Sequence, residues 1–182
     1  MQLWQSERYD WANLKGAGKA PTGVPLALEM LRTAASEKDA DDAYWQIDNT
    51  VVVQGALYES ALPTAACIVT MLATCTPVSR IRVLELLDQI SGATAEPGQE
   101  RLVAQINDEV IRGFGVYAGL LQHGTDMERE LCVELALSCA QGERILRDRV
   151  RFYLQRLSSD SETSQRVRDY AMKRLNEAET EW

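Results

Sequence analysis

The residue types that most often carry out catalysis are scarce in this 182-residue sequence. His123 is the only histidine, and it precedes Gly124 near the predicted end of a helix, where capping is the expected role. A Ser-His-Asp triad or a catalytic zinc site would need an unusual base or unusual ligands. The sequence therefore predicts no catalytic residues and a protein that is not an enzyme.

The four cysteines do not have the spacing of a zinc site. Cys67 and Cys75 are predicted to lie two turns apart on one helix, as are Cys132 and Cys139, whereas zinc knuckles use CxxC pairs. Free cysteine behaves as a small hydrophobic residue, so packing in the core is expected. The glycines from position 113 to 119 lack the strand context of a phosphate loop and predict a helix kink. No metal ion and no cofactor is expected.

A charge bias is the clearest chemical signal. From Asp39 to Ser79, which we term the acidic segment, there is no Lys or Arg, and about five Asp and Glu side chains contribute negative charge. Helical spacing would place carboxylates and aromatic rings of this segment on one stripe. The predicted partner-binding residues are Asp41, Tyr44, Trp45, Asp48, Asn49, Tyr58 and Glu59.

Two interpretations of the acidic segment remain open. In the first, Trp45 belongs to the core and Asp39 to Asp42 only favour the positive end of a helix dipole. In the second, the segment is a docking surface on which aromatic rings supply burial energy and carboxylates steer a basic partner.

The overall charge favours a protein partner. A net charge of -8 and a pI near 4.8 disfavour nucleic acid, because binding to phosphates needs clustered Lys and Arg. The opposite bias occurs between Arg144 and Arg174, where nine basic residues face four acidic ones. This basic segment is interpreted as a solvated face, and the alternative is a contact with a neighbouring subunit or a nucleic acid.

Apolar residues recur at three- and four-residue steps and predict helices almost throughout. Val51 to Val53 are assigned to a helix that ends at Gly55. Thr76 and Thr125 are expected to cap helices, and the fifth helix is expected to kink or split near Gly113. The predicted helices span about 24–37, 39–54, 60–74, 77–91, 99–122, 126–140, 143–158 and 162–179.

These helices predict a single all-α domain over residues 1–182, with an irregular segment at 1–22 and a tail at 177–182. Weak internal similarity at a spacing of about 36 to 41 residues favours stacked antiparallel helix hairpins, an α-solenoid of about four repeats. The sequence contains neither the pattern of a signal peptide nor an apolar run long enough to span a membrane, so a cytoplasmic protein is expected.

Two stretches resemble bacterial HEAT-like proteins. Residues 49–63 contain Gln-Gly-x-x-Tyr-x-x-Ala leading into a helix, which is similar to a signature of that family. The run from Val110 to Leu121 resembles the next repeat, although Gly115 stands where the pattern often has proline. The resemblance covers roughly residues 24–175 and implies a HEAT-like fold. Because some members are encoded beside secreted toxins, it also suggests immunity or adaptor roles.

The sequence and this resemblance together suggest three functions. The preferred one is an immunity-type protein that neutralises a basic toxin domain by covering its active site. The alternative is an adaptor or scaffold, with a homodimer as one form. A remote alternative is a HEAT-like DNA glycosylase that uses Trp45 and Asp48, which the acidic surroundings disfavour because they repel phosphates.

Overall fold

The computed structural model describes residues 3–94 and 97–182. The described residues are predominantly helical, as predicted, with one short two-stranded sheet. Residues 1 and 2, which belong to the predicted irregular segment, lie outside the described part. The helices are α1 (Val24–Thr33), α2 (Glu37–Val51), α3 (Ala61–Met71), α4 (Pro77–Gly92), α5 (Glu100–Arg112), α6 (Phe114–His123), α7 (Asp126–Gly142), α8 (Arg147–Ser159) and α9 (Gln165–Glu179).

Short polar side chains begin several helices, because they satisfy backbone N–H groups that have no partner inside the helix. Thr76 Oγ1 accepts a hydrogen bond from the backbone of Ser79, with Pro77 at the first position of α4. Thr125 and Glu128 form the reciprocal capping box that begins α7. Both predicted caps are therefore confirmed. The predicted split is confirmed as well, since α5 ends at Arg112 and α6 begins at Phe114.

The chain forms two compact units, residues 1–110 and 111–182. In the first unit, α1 packs against α2, and both contact α4. A 3-10 turn at Trp4–Arg8 packs on α3, and Trp11 is buried with its indole N–H bonded to the carbonyl of Ser6 at 2.8 Å. The segment predicted to be irregular is thus partly ordered by burial of an aromatic ring.

The assignment of Val51–Val53 to one helix is wrong beyond Val51. Strands β1 (Val52–Val53) and β2 (Ala56–Leu57) form an antiparallel hairpin. Gln54 and Gly55 connect them with φ angles of 53° and 79°, the combination typical of a two-residue type I′ turn. The sequence does contain a hairpin signal here, with two valines, the turn pair Gln54 and Gly55, and a second apolar pair. The helical periodicity on either side obscured this signal.

We expect Gly55→Ala to lower the free energy of unfolding by about 1–2 kcal/mol, because L-residues with a side chain disfavour the left-handed region. A Cβ at this position would meet no atom within 4 Å, so conformation alone sets the cost. Gly92→Ala is the matched control, since Gly92 is equally open but has an ordinary helical φ. Chemical denaturation of both variants measures the difference, and equal stabilities would contradict the turn.

In the second unit, α6 packs against α7 and α8 against α9, and α7 also contacts both α8 and α9. The segment predicted as a tail at 177–182 is ordered, because α9 continues to Glu179 and Trp182 lies on α8. The guanidinium carbons of Arg147 and Arg151 lie 5.9 and 5.5 Å from the centre of the Trp182 ring. Arg147 Nη1 also donates to the Trp182 backbone carbonyl at 2.8 Å. The predicted solenoid of about four repeats in one domain stays a prediction.

All four cysteines are free and buried, as packing in the core predicted. Burial raises the pKa of Cys67 and of Cys139 to about 12, so neither side chain is a ready nucleophile. The placement of Cys67 and Cys75 on one helix is wrong, because α3 ends at Met71 and Cys75 lies in the following turn. Throughout residues 3–94 and 97–182, each helix falls short of the length and apolar character needed to cross a bilayer.

Candidate partner-binding site

The structure separates the predicted partner-binding residues into three groups, all in the first unit. One group faces α4, a second holds the N-terminal segment, and a third opens onto a surface groove. Asp41, Tyr44, Trp45 and Asp48 follow one side of α2, but they differ in exposure, since Tyr44 is buried and Trp45 is 54% exposed.

Asp41, Tyr44 and Asp48 form the group toward α4. Arg82 of that helix donates from Nε to Asp41 Oδ1 at 2.6 Å, and from Nη1 to Glu85 at 2.5 Å. Its guanidinium carbon lies 5.6 Å from the centre of the Tyr44 ring. Asp41 and Tyr44 therefore join α2 to α4 through one arginine, which is a structural role.

Tyr44 is only 4% exposed, so its ring is part of the core and unavailable to a partner in this structure. Burial, followed by the charges of Asp48 and Glu85, raises the pKa of Tyr44 to about 12. Burial also raises the pKa of Asp48. Asp48 and Asp88 line a separate cavity of about 460 Å³ beside the β-hairpin. Asp48 therefore lies apart from the aromatic groove described below.

Tyr58 and Glu59 follow the hairpin and hold other parts of the first unit. The backbone N–H of Tyr58 donates to the carbonyl of Val51 at 3.2 Å. Glu59 Oε2 accepts from the backbone N–H of Lys15 at 3.0 Å, and its Oε1 lies 3.7 Å from the Lys15 ammonium. Glu59 thereby anchors the N-terminal segment, and this contact uses both of its carboxylate oxygens.

Trp45 and Asn49 open onto a groove of about 570 Å³, which we term the Trp45 groove. Trp45 is 54% exposed, and its ring makes an edge contact with Tyr44 at 5.1 Å between ring centres. Asn49 donates from Nδ2 to the Trp45 carbonyl at 2.8 Å, so its side-chain oxygen stays available as an acceptor. The groove is lined by Lys19, Ala20, Pro21, Thr22, Gly23, Val24, Asp42, Trp45, Gln46, Asn49 and Thr50.

The segment from Lys19 to Val24 was not among the predicted site residues. It forms the wall opposite α2 because the preceding residues are fixed to the end of that helix. Ala17 donates to the Thr50 carbonyl at 2.9 Å, and a Cβ on Gly16 would lie 3.0 Å from the Thr50 methyl group. The dense Gly and Pro content of this stretch indicated a loop, but no local pattern showed where the loop would pack.

Cations from outside the acidic segment neutralise much of it. Arg82 pairs with Asp41, Lys15 with Glu59, and Lys38 with Asp42. The side chain of Asp39 is bonded to Ser36 at the start of α2. The excess of negative charge remains on the unit as a whole, where 8 Lys and Arg stand against 15 Asp and Glu in residues 1–110, a net charge of -7.

The basic segment from Arg144 to Arg174 is also largely paired. Six of its nine cations bond to side chains or to backbone carbonyls, namely Arg147, Arg151, Arg166, Arg168, Lys173 and Arg174. Within the described residues, Arg144, Arg149 and Arg156 form neither a hydrogen bond nor an ion pair. Pairs at the surface, such as those of Arg166 and Lys173, agree with the interpretation of this segment as a solvated face.

Residues 3–94 and 97–182 contain no group of three His, Cys, Asp or Glu side chains placed to hold a metal ion. His123 is exposed at the last position of α6, as the sequence predicted. Trp45 and Asp48, the pair invoked for a glycosylase, line different cavities. The geometry of the first unit thus presents one exposed aromatic groove on an acidic body.

No family model matches the sequence, and neither a curated protein nor a solved structure gives a significant match to the chain. The resemblance to HEAT-like proteins stays a prediction.

Proposed function

We propose that this chain is a binding protein that recognises a basic protein partner through the Trp45 groove. The observation that carries the proposal is Trp45 itself, a large aromatic side chain left 54% exposed at the edge of a 570 Å³ groove. Exposed tryptophan in a concave site is a frequent source of binding energy, because its burial removes a large apolar area from water.

The charge of the surrounding unit supports a basic partner. With a net charge of -7 over residues 1–110, the unit attracts cations over distances of about one Debye length. Asp42 lines the groove beside Trp45, and its partner Lys38 lies on the exposed surface, where a competing cation can replace it. Asp42 would therefore supply an acceptor next to the aromatic anchor.

In its specific form, the proposal is an immunity role in which the chain covers the active site of a bacterial toxin. This form is suggested by the resemblance to HEAT-like proteins encoded beside toxins. Co-expression of the chain with the toxin encoded beside its gene tests it directly, with cell survival as the measurement. Equally rapid death with and without the chain would reject immunity, whereas binding without protection would favour the adaptor alternative.

We expect Trp45→Ala to weaken binding to that toxin domain by at least about tenfold, because truncation of an aromatic hot spot costs more than about 1.4 kcal/mol. Isothermal titration calorimetry measures the change. Trp4→Ala is the matched control, because Trp4 is 79% exposed in the same unit but lies outside the groove. Equal affinities of the two variants would place the contact surface elsewhere.

The carboxylates of the acidic segment differ in what they contact inside the unit. Asp41 and Glu59 are engaged inside the unit, so their removal would lower stability as well as any binding. Asp42→Asn separates binding from stability better, because it leaves the contacts of Arg82 with Asp41 and of Lys15 with Glu59 intact. Its expected effect is a slower association whose dependence on salt is reduced.

A further inference from the structure

A second exposed surface, independent of the Trp45 groove, lies on α8 in the second unit. Arg149, Phe152, Tyr153 and Arg156 recur at steps of three and four residues and therefore share one side of the helix; we term them the α8 stripe. Phe152 is 58% exposed, and the preceding Ile145 is 78% exposed. Large apolar side chains between arginines are unusual for a merely solvated face.

The two arginines of the stripe are weakly engaged. Within the described residues, Arg149 and Arg156 form no ion pair, whereas Arg151 on the same helix binds Glu179 at 2.7 Å. The charge of Arg156 acts on Asp160 only as one of the smaller causes that lower the pKa of that carboxylate. Arg149 lies over the ring of Phe114, with its guanidinium carbon 4.8 Å from the ring centre. That contact with a ring face positions the guanidinium without using its N–H donors in a hydrogen bond.

A shallow cavity of about 260 Å³ adjoins the stripe. It is lined by Leu121, Gln122, Phe152, Tyr153, Arg156, Leu157 and Asp160, so its walls are mostly apolar and its edge carries one guanidinium and one carboxylate. The carboxylate of Asp160 accepts hydrogen bonds from the backbone of Glu162 and the hydroxyl of Thr163. The cavity is large enough for one apolar side chain beside the guanidinium of Arg156.

The chain already contains an example of what α8 binds. On the adjacent side of the helix, Arg147 and Arg151 hold the C-terminal residues 179–182. The Glu179 carboxylate pairs with Arg151, and the Trp182 ring lies against both guanidinium groups. Arginines of this helix therefore bind an acidic and aromatic peptide segment.

We infer that the α8 stripe is a docking surface for an acidic segment of another polypeptide that carries one apolar side chain. Carboxylates of that segment bind Arg149 and Arg156, and its apolar side chain enters the cavity beside Phe152 and Tyr153. A protein segment is favoured over a nucleic acid because the segment that α8 holds internally, at Glu179 and Trp182, is acidic and aromatic peptide.

Fluorescence anisotropy with the full chain tests this inference. The probe is a labelled peptide of glutamates around one central phenylalanine, and a single-stranded DNA of equal length is the comparison. We expect the peptide to bind and Arg149→Glu with Arg156→Glu to weaken it by at least about tenfold. Arg8→Glu with Arg101→Glu makes the same change in net charge at exposed positions of the first unit and should leave binding within about twofold.

Several results would overturn the inference. The inference is contradicted if the peptide fails to bind, if both double variants lose the same affinity for the peptide, or if the DNA binds more tightly than the peptide. The inference is also overturned if the chain self-associates with rising concentration and Arg149→Glu with Arg156→Glu abolishes that association. The occupant of the α8 stripe would then be a second copy of the chain. If Arg149→Glu lowers the melting temperature through its contact with Phe114, Phe152→Ser provides the same test, since that ring is mostly in solvent.

Discussion

Gly113→Ala is expected to lower the free energy of unfolding by about 3 kcal/mol or more, because the new methyl group would occupy space that Tyr117 fills. Gly113 is buried at the start of α6, and a Cβ there would overlap the hydroxyl and Cζ of the Tyr117 ring. Tyr117 has no exposed surface, so its ring cannot turn away without disturbing the core. Overpacking at such a site strains the neighbouring side chains and backbone.

Thermal or urea unfolding measures this loss, and Gly115→Ala is its control on the same helix. A Cβ on Gly115 would meet no atom within 4 Å, so alanine there should be neutral or should stabilise α6 by up to about 1 kcal/mol. In the Gly113→Ala background, Tyr117→Phe should cost less than it does alone, because it relieves part of the overlap. Strict additivity of the two changes would contradict the proposed contact.

Arg174→Met is expected to cost about 2 kcal/mol at neutral pH, because it leaves the carboxylate of Glu134 without its main partner. Arg174 donates to both oxygens of Glu134, at 2.7 and 2.6 Å, and Tyr170 adds a third hydrogen bond at 2.5 Å. The side chain of Glu134 is 22% exposed and that of Arg174 is 33% exposed. The expected cost is therefore below the roughly 3–5 kcal/mol typical of fully buried pairs.

The pH dependence of this loss has a definite sign. Burial by itself would raise the pKa of Glu134, but the hydrogen bonds from Arg174 and Tyr170 outweigh it and lower the pKa below its ordinary value. A lowered folded-state pKa contributes stability above the ordinary pKa of the unfolded chain, and this contribution is lost as the pH falls through the lowered value. In Arg174→Met, burial should raise the pKa of Glu134 instead. The stability difference between the variant and the natural chain should therefore shrink in acid.

Urea denaturation at pH 7 and at pH 3 measures this difference. Lys173→Met is the control, because Lys173 is 72% exposed and lies 3.8 Å from Glu177, a pair expected to contribute less than about 0.5 kcal/mol at either pH. A loss in Arg174→Met that is the same at both pH values would contradict the role assigned to Glu134.

Much of the helical structure could be predicted because its signals are local. The caps at Thr76 and Thr125 act through atoms only three residues away, and the break at Gly113 follows from one residue type. The hairpin at Gln54 and Gly55 was not predicted. Its two strands have only four residues, and the helical periodicity of the sequence on both sides dominates the local pattern.

The candidate site could be predicted only in part. Trp45 and Asn49 lie on the groove, but periodicity cannot show which side of α2 meets another helix, and Tyr44 proved to be the buried neighbour. The charges of Asp41 and Glu59 looked free because their partners Arg82 and Lys15 are 41 and 44 residues away in the sequence. Pairing at that distance exists only in the folded chain.

The sequence by itself determined that the chain is predominantly helical, where the caps at Thr76 and Thr125 and the break at Gly113 lie, and that the cysteines would be buried. These features depend on hydrogen bonds and apolar spacing within a few residues, or on composition alone. Only the tertiary structure decided which aromatic rings are exposed, which carboxylates are paired, and that the loop at Lys19–Val24 completes a groove with α2. Exposure and pairing depend on which distant segments pack together, and local residue patterns do not encode that choice.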